Sequence, residues 1–247
     1  MNFEILKQDS RYKPYIENIS KYISTDKKIL VVGANHKDII IFSSLGYKNV
    51  VFSNLFLDDL KKDMLENYEY MEIYENSNKK EINMTSIPFE NDRFDFCTTS
   101  ASLHHCSKPH LALLEMYRIS KNGVIFIEGR DSLLSILLTK LGILEEYEYS
   151  SIDEDQSQNK GGMDGTIIPN YVYKWTEREV EKLIKSYRPT KKHIYKYNYY
   201  FTNDNLANLR NKKIINNFLN FFSFIIRVFF KIFKNQSNLM SVVIMKN

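Results

Sequence analysis

The chain has 247 residues, 43% of them apolar and 26% charged, which suits one domain with a full hydrophobic core and excludes disordered, collagen-like and coiled-coil chains. Two cysteines, Cys97 and Cys106, cannot build a disulfide framework, and neither stands in a CxxC or Cys/His spacing that holds zinc, so no metal is expected. The net charge of +4 is uneven: seven of 34 Lys and Arg lie beyond Asp204, where no acid occurs, and the other 27 face 30 acids, net −3 over residues 1–204.

Residues 1–20 lack the basic, apolar and small-residue pattern of a secretory signal, so a reduced, cytoplasmic chain is expected. Residues 27–33 form a β-branched run ending in Gly33, and residues 36–46 fit a helix closed by Gly46. Strand character returns at residues 49–54, weakly at 69–74, and again at 93–100. Residues 109–120 carry apolar side chains at helical spacing behind Pro109, and 123–129 make the next strand. Residues 145–170 are polar and read as either a lid or a solvated connection. Thr176 is a suitable N-cap for a helix over 175–187, with Glu177 and Glu179 in its first turn. Residues 193–201 and 241–246 alternate as late strands. The expected fold is α/β: a Rossmann-like, doubly wound, mostly parallel seven-stranded sheet with an antiparallel C-terminal edge strand and a hydrophobic helical insert. Residues 1–247 are read as a single domain with a lid-like insert at 145–170 and an amphipathic insert at 205–237.

In such a sheet the ligand crevice lies beyond the carboxyl ends of the strands. Those ends are Gly33 to Asp38, Ser53 and Asn54, Asn83 and Met84, Ser100 to His105, and Glu128 to Asp131. A single glycine at 33 is weak evidence for a nucleotide and equally suits a plain tight turn, and GxGxxG is absent, which disfavours a nucleotide-dependent oxidoreductase.

A longer pattern is more specific. Asn83, then Ile87-Pro88-Phe89, Phe94-Asp95 and Leu103-His104-His105, followed by Glu115, Arg118 and Gly123, resembles the class I S-adenosylmethionine-dependent methyltransferases, type 11-like. The resemblance covers roughly residues 27–130, and the segment 161–184 looks like a bacterial subset found among glycan-modification proteins. It implies S-adenosylmethionine as cofactor, held by Gly33, Ala34 and Asn35, by Asn54 at the ribose, by Asn83 and Met84 at the adenine, and by Ser100. Departures from the family pattern are Val31 in place of an acid, Asn35 and Lys37 in place of glycines, and asparagine at both ligand carboxylates. An amide still offers one accepting oxygen, and Asn35 tolerates positive φ better than most residues.

Methyl transfer to a hydroxyl requires alignment and removal of the acceptor's proton, a task for a base such as histidine. His104 and His105 follow the fourth strand, and His105 is the favoured base; capping of the next helix is the competing reading. Glu128, Arg130 and Asp131 are candidates to orient a polar acceptor, or Arg130 and Asp131 cap the next helix. Asp164, Tyr171 and Trp175 are candidates to close over a sugar-like substrate, packing without ligand contact being the alternative. The expected reaction is O-methylation of a small-molecule saccharide or glycan precursor. A catalytically silent Rossmann-like module is the alternative, binding a partner or membrane through its C-terminal helix.

The C-terminal insert places Asn216, Asn220, Ser223, Arg227, Lys231 and Lys234 along one helical stripe with Phe and Ile around it. Residues 218–233 would span about 24 Å, short of a ~30 Å hydrocarbon core. The expected partners of 210–236 are either the anionic inner membrane surface, as a peripheral contact, or a second copy of the chain. No nucleic-acid partner is expected, because the cations are not spread over a face of the domain.

Overall fold

The computed structural model describes residues 3–62, 68–153, 161–202, 228–230 and 232–247. In chain order they form α1 (Phe3–Leu6), α2 (Tyr12–Tyr22), β1 (Ile29–Val32), α3 (His36–Ser44), β2 (Val50–Asn54), α4 (Leu57–Lys62), α5 (Tyr68–Asn76), β3 (Asn78–Glu81) and β4 (Phe94–Ser100). They continue with α6 (Pro109–Ile119), β5 (Ser120–Gly129), α7 (Leu133–Lys140), β6 (Tyr147–Glu148), α8 (Ser150–Asp153), β7 (Asn170–Tyr171), α9 (Glu177–Tyr187), β8 (His193–Tyr200) and β9 (Leu239–Lys246).

Seven strands make one sheet in the order β3-β2-β1-β4-β5-β9-β8. The first five are parallel; β9 runs antiparallel to β5, and β8 pairs antiparallel with β9 at the edge. This is the expected architecture. Both faces are covered, because successive side chains of a strand point to opposite sides. Ile29 and Val31 of β1 join Tyr15, Ile19, Ile39 and Phe42 of α2 and α3 in one core cluster, while Leu30 and Val32 join Leu113, Met116, Val180 and Ile184 of α6 and α9 in the other.

Two helix starts follow their sequence signals, Pro109 and Thr176, and a third has a cap that was not expected. Asn35 caps α3, its side chain accepting from Lys37 N while Asp38 accepts from Asn35 N. Pro109 occupies the first turn of α6, and Thr176 and Glu179 form a reciprocal cap on α9.

The third strand departs from expectation. Residues 69–74 lie in α5, and β3 is Asn78–Glu81. Tyr70, Met71, Ile73 and Tyr74 reach one core cluster at helical spacing, whereas the polar edge strand has no apolar pattern to reveal it. The expected helical insert at 205–237 lies mostly outside the described residues, so its stripe and its contacts are not described. Among the described residues no helix is long and apolar enough to cross a membrane.

Candidate functional site

The carboxyl ends of β1, β2, β4 and β5 open on one cavity of about 480 Å³, within the range of small-molecule sites. Gly33, Ala34, Asn35, Asn54, Asn83, Met84 and Ser100, the expected cofactor set, all line it, as do His104, His105, Glu128 and Asp164.

The cofactor-side loops are bonded to one another. Gly33 has φ 59°, and a Cβ there would stand 2.6 Å from Ser102 Cβ. Ser102 Oγ also donates to Gly33 O at 2.7 Å, so the loop after β1 is seated on the turn after β4. Asn54 Nδ2 donates to Ala34 O at 2.9 Å, and Asn54 Oδ1 accepts from Leu55 N. Asparagine at 54 thus ties β2 to the β1 loop, a bond that a carboxylate could not donate. Asn83 Oδ1 accepts from Thr85 N and Oγ1. The Lys37 ammonium rests 5.2 Å from the centre of the Tyr12 ring, a cation–π placement for the charge that replaces a family glycine. Ser100 Oγ is buried with no hydrogen-bond partner.

Glu115 and Arg118 of α6 brace the loop of residues 87–91. Glu115 accepts from Ile87 N at 2.9 Å, and Arg118 donates to Ile87 O, Phe89 O and Asn91 Oδ1 while pairing with Glu115 at 2.7 Å. The Arg118 hydrogen bonds hold the Glu115 carboxyl below its ordinary pKa.

On the wall of the same cavity, residues 103–105 form a single 3-10 turn. His104 Nδ1 donates to Glu128 Oε2 at 2.9 Å, and its Nε2 lies 3.7 Å from Glu148 Oε2. His105 Nε2 lies 3.4 Å from the same oxygen, and Asn170 Nδ2 donates to His105 Nδ1 at 3.3 Å. The strand pair β6 and β7 explains how Glu148 and Asn170 arrive together. They are cross-strand partners on one face of the ribbon, while Tyr147 and Tyr171 pair on the other and are 41% and 46% exposed.

The charges differ across this group. Burial opposes the charged form of His104, but the charge and hydrogen bond of Glu128, with those of Glu148, push its pKa up to about 9. Desolvation by the cavity wall and the neighbouring His104 charge push His105 down to about 4. Burial would raise Glu148, yet its hydrogen bond to His104 and the two imidazole charges hold it at about 2.

Four expected acceptor-side residues are not on the wall. Arg130 pairs with Glu177 Oε1 at 2.8 Å through Nη2, donates to Asn235 O and packs over Tyr199, so its guanidinium ties β5 to α9. Asp131 donates its backbone N–H to Trp175 O, and Ser132 is the N-cap of α7. Trp175 is fully buried against Phe126, Tyr173 and His110, a core residue rather than an aromatic platform for a sugar. Tyr171 packs on Tyr147, away from the cavity. Asp164 does reach the wall, with φ 55°, and accepts from Ser107 N at 3.2 Å. Its neighbour Gly165, with φ 73°, sits against Phe56 and Leu55.

Glu148, Arg11 and Tyr12 also line the cavity and were not expected there. The Tyr-Glu-Tyr alternation at 147–149 was the available signal for Glu148, since it places the acid alone on one face of a strand.

Residues 44–127 match the family model described as a methyltransferase domain. No curated protein matches the chain in a sequence search. Among solved structures, a putative methyltransferase from Bacillus halodurans is 15% identical with a TM-score of 0.51, over 94% of this chain and 96% of that one. Magnesium protoporphyrin IX methyltransferase from Synechocystis, solved with bound SAH, is 7% identical with a TM-score of 0.55, covering 95% and 81%. The 1,6-didemethyltoxoflavin-N1-methyltransferase of Burkholderia thailandensis, solved with its substrate and S-adenosylhomocysteine, is 11% identical with a TM-score of 0.54, covering 98% and 81%. The chain is built on the class I methyltransferase fold and carries a methyltransferase-domain pattern across the middle of its sheet.

Proposed function

We propose that the protein is an S-adenosylmethionine-dependent methyltransferase that methylates a hydroxyl of a small, hydroxyl-rich acceptor, a saccharide or glycan precursor. The observation that carries this reading is one cavity lined by two chemically different groups of residues. Gly33, Asn35, Asn54, Met84 and Ser100 make up one and His104, His105 and Glu148 the other. S-adenosylmethionine fits the first group: the cavity volume suits a ligand of its class, and Ser100 Oγ is a buried hydroxyl still without a partner. When bound, that cofactor supplies an electrophilic methyl on a sulfonium.

The chain's own residues do the rest. Asn54 and Ser102 hold the cofactor loop in place. Glu128 fixes the ring of His104, whose side chain is 11% exposed, whereas that of His105 is 38% exposed and is the one open to take the acceptor's proton. Glu128, Glu145, Glu148 and Asp164 on the wall offset Arg11, Lys37 and the His104 imidazolium and leave no excess of positive charge to draw an anion, which favours an uncharged polyhydroxyl acceptor, and Arg130, the expected anion clamp, is engaged by Glu177.

The test is a panel of saccharides and small alcohols incubated with labelled S-adenosylmethionine. Transfer to a hydroxyl acceptor, reduced at least tenfold in His105→Gln with S-adenosylhomocysteine affinity retained, supports the reading. Loss of cofactor affinity in step with turnover refutes the assigned role of His105.

A further inference from the structure

His104, His105 and Glu148 each offer one donor atom, and these atoms lie within 4.8 Å of one another. Glu148 Oε2 stands 3.7 Å from His104 Nε2 and 3.4 Å from His105 Nε2. A four-coordinate ion with ligand bonds of about 2.0–2.2 Å spaces its ligands about 3.3–3.6 Å apart, so the carboxylate is already close to that spacing from both imidazoles.

The outer contacts point the same way. Histidines that bind metals usually give their second ring nitrogen to a carboxylate or another polar group, which fixes ring and tautomer. His104 does this with Glu128, whose other oxygen accepts from Leu103 N at 2.7 Å. Asn170, fully buried, faces the second nitrogen of His105 and donates through Nδ2 to Glu148 Oε2 at 3.1 Å, so it orients the carboxylate of the group. All three donor residues line the cavity, so the side of the cluster away from Glu128 and Asn170 is open to an acceptor.

We propose that His104, His105 and Glu148 are the protein ligands of a divalent transition metal, zinc in the first instance, whose remaining position faces the acceptor. Two imidazoles and a carboxylate suit zinc and its neighbours in the first row, and suit magnesium or calcium poorly. The ion's role rests on the methyl-transfer reading, but its binding does not. With the ion in place, the acceptor oxygen gives a lone pair to the metal and its O–H bond becomes more acidic. The proton leaves to solvent, and His105 serves as ligand in place of base.

The test uses the full chain stripped with a chelator. Zinc alone is titrated by calorimetry and cobalt(II) alone by visible absorption, alongside Glu148→Gln and His105→Ala, with S-adenosylhomocysteine titrated into the same samples. The proposal expects one ion per chain, intense four-coordinate cobalt bands, and at least tenfold weaker zinc binding in both variants. It also expects nearly unchanged S-adenosylhomocysteine binding, which reports that the variants are folded. No saturable uptake, or uptake that both variants leave unaltered, overturns it. A chain that binds S-adenosylhomocysteine but no ion loses the metal and keeps the methyltransferase reading; one that binds the ion alone does the reverse.

Discussion

His104 and Glu128 join the ends of two neighbouring strands: the imidazole Nδ1 on the turn after β4 donates to the carboxylate at the end of β5 at 2.9 Å. The other oxygen of the same carboxylate accepts from Leu103 N. One buried side chain therefore sets both the position of the turn and the direction of the ring. Glu128→Gln can satisfy only one of those two donors with its single oxygen. The expected result is a loss of kcat on the order of 10²-fold, the scale of a ~1 Å misplacement. KM for S-adenosylmethionine should be nearly unchanged, and a rise in KM with kcat intact would deny Glu128 its positioning role.

Gly33→Ala should destabilise the fold by about 2–4 kcal/mol, because it combines a left-handed backbone with a Cβ 2.6 Å from Ser102 Cβ. Denaturant melts provide the measurement. Ser102→Gly in the same chain should recover part of the loss by removing the clashing atom; full additivity of the two changes would mean that they do not meet.

Asp38 is fully buried, and desolvation raises its pKa to about 7 against the bonds from Asn35 and the charge of Lys37. The folded carboxyl thus holds its proton more tightly than the unfolded one. Its contribution to stability is greatest below about pH 4 and is lost as pH rises toward 7, by up to roughly 4 kcal/mol. Asp38→Asn keeps an acceptor for Asn35 N and should flatten this part of the pH profile. A wild-type profile that rises between pH 4 and 7 in step with the variant's would contradict the account of Asp38.

Glu115 behaves in the opposite sense. Its pKa is lowered by Arg118, so its contribution is present above the unfolded carboxylate pKa and is lost as pH falls through the folded value. Removing Arg118 leaves the carbonyl of Phe89 without its donor, and Glu115 and the carbonyl of Ile87 with one backbone donor each. Arg118→Ala should cost about 1–3 kcal/mol in a denaturant melt, with the loss shrinking in acid.

Much of the scaffold was legible because its signals are local. The β-branched runs of β1 and β2, the capping residue Thr176, and Pro109 each announce an element without help from elsewhere in the chain. The strand ends then follow, and with them Gly33, Asn54, Ser100 and His104. What escaped depends on tertiary context. β3 is a polar edge strand, recognisable only by the neighbour it pairs with. Trp175 stands in a polar stretch, and only the packed helix α9 reveals that it belongs to the core. Glu148 comes from a two-residue strand whose orientation is set by pairing with β7, 22 residues away at Asn170.

Trp175 also separates core from site experimentally. Trp175→Ala should lower stability by about 3–5 kcal/mol, as for a fully buried large aromatic. Below the melting range the variant should retain its KM for the acceptor. A selective rise in that KM, without loss of stability, would return Trp175 to the substrate wall.

The account turns on whether the strand-end loops hold the methyl donor, and calorimetric titration of S-adenosylmethionine into the intact chain addresses it most directly. Saturation at one molecule per chain, weakened at least tenfold in Gly33→Ala under conditions where that variant is folded, is the predicted result. An absence of binding heat at several temperatures, or equal affinity in chain and variant, would contradict it.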